Sequence, residues 1–196
     1  MYFKVFCISL IIATFSHNLY SQGVEDSEIH YKNGNLLYTE GRYFESIAEF
    51  KGALKVKPNE TRFLNGIGAA YLLNGEPEKA IETYKKSCKI TEHKFGLKSS
   101  RTTACKSLLS TAYEKAGKLE ESIHGHKVAY EAFLEREGKD HEDRFYWLQH
   151  LINPLIGSGR YKEAIKYSEE FLSDRSPSSK EYQYIQKLVV KLKMKI

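Results

Sequence analysis

Two neighbouring histidines are the side chains of this sequence best suited to metal or acid–base chemistry. His124 and His126 lie two positions apart, and on one helix two such side chains point in different directions. His126 also occupies the place that Phe50 and Tyr84 fill in earlier copies of a repeated segment. We therefore expect His126 to be a packing residue, and we predict no metal site at this pair.

A short acidic segment, residues 140–143, has the sequence Asp-His-Glu-Asp. These side chains are able to bind a cation, but a loop that starts a helix with an aspartate cap is the simpler explanation. No Ser/His/Asp arrangement, phosphate-binding glycine loop or HExxH motif occurs in the sequence. The sequence therefore predicts no enzyme, no catalytic residue and no cofactor.

The N-terminal 23 residues predict the cellular localisation of the protein. Lys4 precedes a short apolar run from Val5 to Phe15, and no acidic residue occurs before Glu25. The run is too short to span a bilayer comfortably, which favours a cleaved signal peptide over residues 1–23 and an exported, periplasmic or secreted protein. The alternative is an apolar tail that docks on the first repeat.

Removal of such a signal leaves two cysteines, Cys88 and Cys105. Export to an oxidising compartment makes a disulfide between them possible. The alternative is that both are buried and act as small hydrophobic residues. No CxxC motif is present, which argues against a redox-active pair.

A repeated glycine determines the expected architecture. Gly41, Gly75, Gly117 and Gly159 are 34, 42 and 42 residues apart, and each is followed by a small residue at +5 and an isoleucine at +6. Apolar residues recur at helical spacing on both sides of each glycine, so each copy predicts a helix, a tight turn and a second helix. Glycine suits the turn because it adopts positive φ at least cost. The four segments are GRYFESI, GEPEKAI, GKLEESI and GRYKEAI.

This pattern of small residue, tyrosine, turn glycine and aromatic resembles the tetratricopeptide repeat family. The first two copies match the 34-residue repeat, and the last two resemble the 42-residue variant of kinesin light chains. The resemblance implies an all-α fold: a right-handed α-solenoid of four helical hairpins in a single domain over residues 24–177. The expected repeats are about 27–60, 61–94, 101–138 and 143–176. Pro154 lies inside the first helix of the fourth repeat, where it is expected to kink or displace that helix.

The last residues, 178–196, are predicted to form an amphipathic capping helix. Ser178 and Glu181 have capping-box spacing, and an apolar stripe follows, formed by Ile185, Leu188, Val189, Leu192 and Ile196. This segment carries five lysines and one glutamate. It is expected to cover the end of the repeat array, or alternatively to dock on an acidic partner or an anionic membrane surface.

The resemblance also implies a binding surface, because in this family the first helix of each hairpin lines a concave groove. Amide side chains can pair with the backbone of an extended peptide, and tyrosines supply rigid contact area. The chaperone-type carboxylate clamp of the family is absent, since only Asn35 matches its residues. The expected groove residues are Tyr31, Asn35, Tyr38, Arg62, Asn65, Leu72, Ser107, Thr111, Glu114, Tyr146, Gln149 and Asn153.

The sequence therefore predicts an exported, non-enzymatic interaction module that binds a peptide or protein segment. The alternative is a sensor or assembly component of a membrane-associated system that docks through its basic C-terminal helix. Nucleic acid is not expected as a partner, because arginines and aromatics do not interleave in the basic segment. The residues do not specify the partner or the oligomeric state.

Overall fold

In the computed structural model, which describes residues 22–196, every regular element is an α-helix. No strand occurs in that part of the chain. Helix α1 covers residues 22–39. The others are α2 (Tyr43–Val56), α3 (Thr61–Leu73), α4 (Pro77–Phe95), α5 (Ser100–Lys115), α6 (Leu119–Glu137), α7 (Arg144–Gly157), α8 (Tyr161–Ser173) and α9 (Lys180–Lys193).

The described residues form two compact units, one ending at Glu76 and one beginning at Pro77. We call α1–α3 the N-terminal unit and α4–α9 the C-terminal unit. The sequence predicts one repeat domain over residues 24–177, and the boundary between the units lies at the turn between α3 and α4. The predicted signal peptide lies outside the described residues except for residues 22 and 23, which belong to α1. None of the helices in residues 22–196 combines the length and the hydropathy that a membrane span needs.

The four turn glycines have the backbone conformation that the repeat predicts. Gly41, Gly75, Gly117 and Gly159 have φ values of 76°, 76°, 73° and 76°. A Cβ atom built on any of them meets no atom within 4 Å, so backbone conformation and not space makes glycine the best residue there. The predicted positions for the turns are therefore confirmed.

The residues after each turn form the buried face of the second helix. The small residues at +5 are all 0% exposed, and the isoleucines at +6 are 4–6% exposed. In the N-terminal unit, the Ser46 hydroxyl donates a hydrogen bond to the Gly34 carbonyl oxygen at 2.7 Å, which ties α2 to α1. Small residues at this position allow the two helices of a hairpin to lie close together.

The core of the N-terminal unit is built around Phe50, which is 1% exposed. A Cβ built on Gly34 of α1 would lie 2.7 Å from the Phe50 ring, and one on Gly66 of α3 would also lie 2.7 Å from it. The ring is therefore held between two helices that approach it through glycine. Ile47, Ile67 and Ala70 complete this core.

The core of the C-terminal unit extends from α6 to α9. Ile185, Val189 and Leu192 of α9 are buried in it, as the apolar stripe predicts. Leu188 is half-buried, whereas Ile196 lies beyond the helix and is 65% exposed. The N-cap residue of α9 lies one position after the predicted one. Ser179, not Ser178, accepts the hydrogen bond from the Tyr182 amide, at 3.1 Å, because α9 starts at Lys180.

The longer spacing of the later glycines results mainly from longer helices. Helix α4 has 19 residues and α6 has 19, where α2 has 14. Helix α7 continues through Pro154 to Gly157, so the proline does not end the helix. Pro154 lies in the last turn of α7.

One buried cation organises the segment between α6 and α7. Arg144 is 1% exposed, and its guanidinium donates hydrogen bonds to four groups at 3.1–3.2 Å. It also lies over the Phe171 ring, 5.2 Å from the ring centroid. Every accessible face of this cation is therefore occupied by the protein. The acceptors are the Tyr130 hydroxyl, the carbonyl oxygens of Lys139 and Glu170, and the Asp174 carboxylate.

Candidate binding surface

We call the first helix of each hairpin an A helix (α1, α3, α5, α7) and the second a B helix (α2, α4, α6, α8). In the N-terminal unit, six of the predicted groove residues lie on A helices α1 and α3. Asn35 is exposed and the other five are half-buried. The five are Tyr31, Tyr38, Arg62, Asn65 and Leu72.

Arg62 and Tyr31 are bound together by contacts within the N-terminal unit. The Arg62 guanidinium lies 4.7 Å from the Tyr31 ring centroid and donates a short hydrogen bond to the Glu28 carboxylate. Lys57 donates to the same carboxylate at 3.0 Å. The hydrogen bonds from Arg62, and then from Lys57, lower the pKa of Glu28 below its ordinary value. Arg62 is thus part of an ion-pair network and is only partly available to a ligand.

The Tyr31 ring is also part of the aromatic core. Its centroid lies 5.8 Å from that of Phe50 and 5.3 Å from that of Phe63. Tyr38 packs edge-on against Tyr43 at 5.7 Å, and burial raises the pKa of the Tyr38 hydroxyl. These tyrosines are rigid, which lowers the entropy cost of any contact that they make with a partner.

In the C-terminal unit, one predicted groove residue is not at the surface. Ser107 is only 6% exposed, because α5 turns this position towards the packed interior. Its backbone oxygen accepts a hydrogen bond at 3.1 Å from the Thr111 hydroxyl, and Thr111 is half-buried. The prediction that Ser107 lines the groove is therefore wrong.

The other predicted residues of the C-terminal unit remain accessible. Glu114 of α5 and Asn153 of α7 are exposed, Tyr146 is 53% exposed, and Gln149 is half-buried. Carboxylate, amide and phenol groups are therefore available on these two A helices. They can accept or donate hydrogen bonds to a peptide backbone.

His150, which is not among the predicted groove residues, lies next to these accessible residues. Its ring centroid is 4.5 Å from that of Tyr146 and 5.3 Å from that of His126. Burial lowers the pKa of His150, and the nearby Glu114 carboxylate opposes this shift. The only indication of His150 in the sequence is that it directly follows the predicted groove residue Gln149.

Beneath His150, His126 is a packing residue, as predicted. It is 1% exposed, and neither ring nitrogen has a hydrogen-bond partner. Burial, and secondly the proximity of His150, lower the pKa of His126 to about 4. The ring is therefore neutral at pH 7, and the C-terminal unit contains a buried polar group that makes no hydrogen bond.

The acidic segment does not form a site of its own. His141 Nδ1 accepts a hydrogen bond from the Asp143 amide at 3.1 Å, and the Asp143 side chain does not cap α7. Asp143 does occupy the N-cap position of α7, but its backbone is helical (φ −72°, ψ −4°) and its side chain does not form the predicted capping hydrogen bond. Over residues 22–196, no cluster of three or more potential metal-binding side chains is present.

Cys88 of α4 and Cys105 of α5 form a disulfide in the structure, with their Cα atoms 5.4 Å apart. Both residues are buried, at 6% and 2% exposure. The bond covalently joins the B helix that ends the second repeat to the A helix that begins the third.

A cavity of about 580 Å³ opens between α5 and α6. Gly125 of α6 lies at its wall, where a built Cβ would be 2.0 Å from the Ser110 hydroxyl oxygen. Leu109, Tyr113 and Val128 provide apolar walls, so the cavity is large enough for one bulky side chain. No motif or repeat position in the sequence predicts this cavity.

Comparison with known proteins identifies the repeat. Residues 31–93 match the model of the tetratricopeptide repeat. Residues 31–93 therefore carry tetratricopeptide repeats. A kinesin-light-chain-like protein of Podosopora anserina with nearly identical TPR-like repeats superposes with a TM-score of 0.74, at 13% identity, over 86% of this chain and 85% of that one. YrrB, described as a TPR protein with an unusual peptide-binding site, superposes with a TM-score of 0.58 at 14% identity, over 90% of this chain and 84% of that one.

The chain is also similar over part of its length to the photosystem I assembly protein Ycf3 of Synechococcus sp. (strain CC9605). The two are 28% identical over 100 residues, which is 50% of this chain and 53% of that protein. The chain thus spans about half the length of the curated relatives that it matches. Tetratricopeptide repeats serve as protein-interaction modules, and proteins built from them are generally non-enzymatic scaffolds.

Proposed function

We propose that this tetratricopeptide protein binds an extended peptide or protein segment along its A helices. The observation that supports this most strongly is the set of accessible amide, carboxylate and phenol groups on those helices. Asn35, Glu114, Tyr146 and Asn153 are the exposed members of that set. The likeness of the fold to YrrB, which has a peptide-binding site, is consistent with this proposal.

A peptide library displayed on phage and selected on the full chain tests this function. Tyr146→Ala and Asn153→Ala together, both in the C-terminal unit, are expected to weaken binding of the peptides that this unit selects at least tenfold, since each change removes an exposed contact. Tyr31 and Arg62 are unsuitable for this variant because they also hold the N-terminal unit together.

The matched control variant carries Phe44→Ala and Lys89→Ala on B helices, where Phe44 is 79% exposed. This control should bind within about twofold of the wild type, because its changes lie on helices outside the proposed surface. Equal losses in the two variants would remove the A helices as the binding surface.

A second function, assembly of a membrane-associated system through α9, is favoured by the outer face of that helix. A cleft of about 200 Å³ there is lined by Tyr184, Lys187, Leu188 and Lys191. The role of Ycf3 in photosystem assembly lends this some support. Lys187→Glu with Lys191→Glu is preferable to deletion of α9, because Ile185, Val189 and Leu192 belong to the core. Loss of co-sedimentation with anionic lipid vesicles, with an unchanged melting temperature, would favour this function.

We further propose that the protein is exported and acts in the periplasm or outside the cell. The apolar run in residues 5–15 and the Cys88–Cys105 disulfide both support this, because disulfides persist in oxidising compartments. Intact-mass measurement of the protein purified from its native cells should show a chain that starts near Gly23 and contains one disulfide. A full-length chain with two free thiols would contradict export.

A further inference from the structure

One face of α1 is exposed at positions that are buried in the other first helices. Ile29 is 51% exposed and Leu36 is 59% exposed, and Asn33 between them is also exposed. With Glu25, Lys32 and Glu40 they form one exposed stripe at helical spacing. We call these six residues the open face of α1.

The equivalent positions show what normally covers this face. In α3 the same i, i+4, i+7 spacing holds Phe63, Ile67 and Ala70, which are 0%, 3% and 0% exposed. In α9 it holds Ile185, Val189 and Leu192, which are 0%, 6% and 2% exposed.

A second helix packs on each of these faces. Helix α2 packs on α3, α6 on α7, and α8 on α9. The contacts are direct: the Phe133 ring of α6 stacks on Trp147 of α7 with the ring centroids 5.7 Å apart. The Cys88–Cys105 disulfide joins α4 to the corresponding face of α5. Each comparable face is therefore covered by one amphipathic helix that precedes it.

The charges of the open face restrict the helix that would fit it. Glu25 and Glu40 place a carboxylate near each end, about 22 Å apart along the helix axis, with Lys32 near the middle. Glu40 also pairs with Arg42 at 3.1 Å, so its charge is partly balanced. A partner helix of about four turns with basic residues at both ends would complement this pattern.

We propose that the open face of α1 binds a single amphipathic helix of another protein. Apolar side chains at i, i+4 and i+7 of that helix pack on Ile29 and Leu36, and its basic ends pair with Glu25 and Glu40. This surface differs from the peptide-binding surface of the A helices, because it uses positions that repeat packing buries elsewhere in the chain. The partner is recognised as a helix, by apolar packing and paired charges.

The chain itself supplies a probe, because α2 covers the equivalent face of α3. A labelled peptide of residues 42–57 contains α2, with Arg42 at one end and Lys55 and Lys57 at the other. Titrated against the full chain, it is expected to bind more tightly than a scrambled peptide of the same composition. Ile29→Asp with Leu36→Asp should weaken its binding at least tenfold, because both apolar contacts are lost.

Phe44→Asp is the matched control, since Phe44 is an exposed apolar residue outside the open face. This control should bind the peptide within about twofold of the wild type, and circular dichroism should show that all variants keep their helices. Binding that is no tighter than that of the scrambled peptide, or that is equally weakened by the control, would overturn the proposal. Two other results would also overturn the proposal. If the wild type self-associates and Ile29→Asp with Leu36→Asp abolishes this, the occupant of the open face is a second copy of the chain. If only a chain that begins at Gly23 binds the peptide, the occupant is the segment before Gly23.

Discussion

Replacing Arg144 with methionine is expected to lower the free energy of unfolding of the C-terminal unit by about 3 kcal/mol. Methionine keeps most of the side-chain volume, but it leaves the Lys139 and Glu170 carbonyl oxygens and the Tyr130 hydroxyl without this donor. A buried group that loses its hydrogen-bond partner lowers the free energy of unfolding by more than the hydrogen bond itself contributed to it. Urea unfolding followed by the fluorescence of Trp147, the only tryptophan in the chain, measures the loss.

Arg160→Met is the matched control for this prediction. Arg160 also pairs with carboxylates, Glu120 and Glu163, but its side chain is 32% exposed and the pairs are at the surface. Surface ion pairs contribute little, so the control should lose less than about 1 kcal/mol. If the two variants were equally stable, the buried arginine would not organise the segment between α6 and α7.

Replacing His126 with phenylalanine is expected to stabilise the protein and to remove much of its sensitivity to acid. Phe50 occupies the same place in the first repeat, so the larger apolar ring suits the fold. At pH 7 the gain is expected to be about 1–2 kcal/mol, because two buried ring nitrogens without partners are removed.

The sign of the pH dependence follows from the lowered pKa of His126. The folded-state pKa is about 4 and the ordinary value is 6.5, so the unfolded chain binds more protons between these pH values. Stability from the neutral ring is present above pH 6.5 and is lost as the pH falls towards 4. The advantage of His126→Phe over the wild type should therefore widen by about 3 kcal/mol between pH 7 and pH 4.

Urea unfolding of both proteins across this pH range measures the difference. His124→Phe is the control: His124 is an exposed histidine on the same helix, and this variant should follow the pH profile of the wild type. A constant difference between His126→Phe and the wild type would contradict the buried, neutral state of the ring.

The repeated features of the fold were predictable because they follow from local chemistry. Gly117 requires positive φ at the turn, and Ser122 and Ile123 follow it on the face that packs inwards. Each of these requirements recurs at fixed spacing, so the sequence displays it four times. The helical hairpins could therefore be inferred without any knowledge of long-range contacts.

The features that were missed depend on contacts between distant segments. Arg144 lies in a polar segment between two helices, where an arginine is normally exposed. It is buried instead, and its guanidinium donates a hydrogen bond to Asp174, 30 residues later in the chain. The repeat position of Ser107 predicts a groove residue, but the packing of α5 buries it. The ring of His150 contacts that of His126, which belongs to another helix. None of these relations has a periodic signature in the sequence.

Hydrogen–deuterium exchange of the full chain, with and without a peptide selected from the display library, tests the central claim most directly. Binding along the A helices predicts slower amide exchange in α1, α3, α5 or α7 and little change in the B helices, because bound segments suppress local opening. The protected segments should include Asn35 or the region from Tyr146 to Asn153. Protection confined to B helices or to α9 would contradict binding through the first helices of the hairpins.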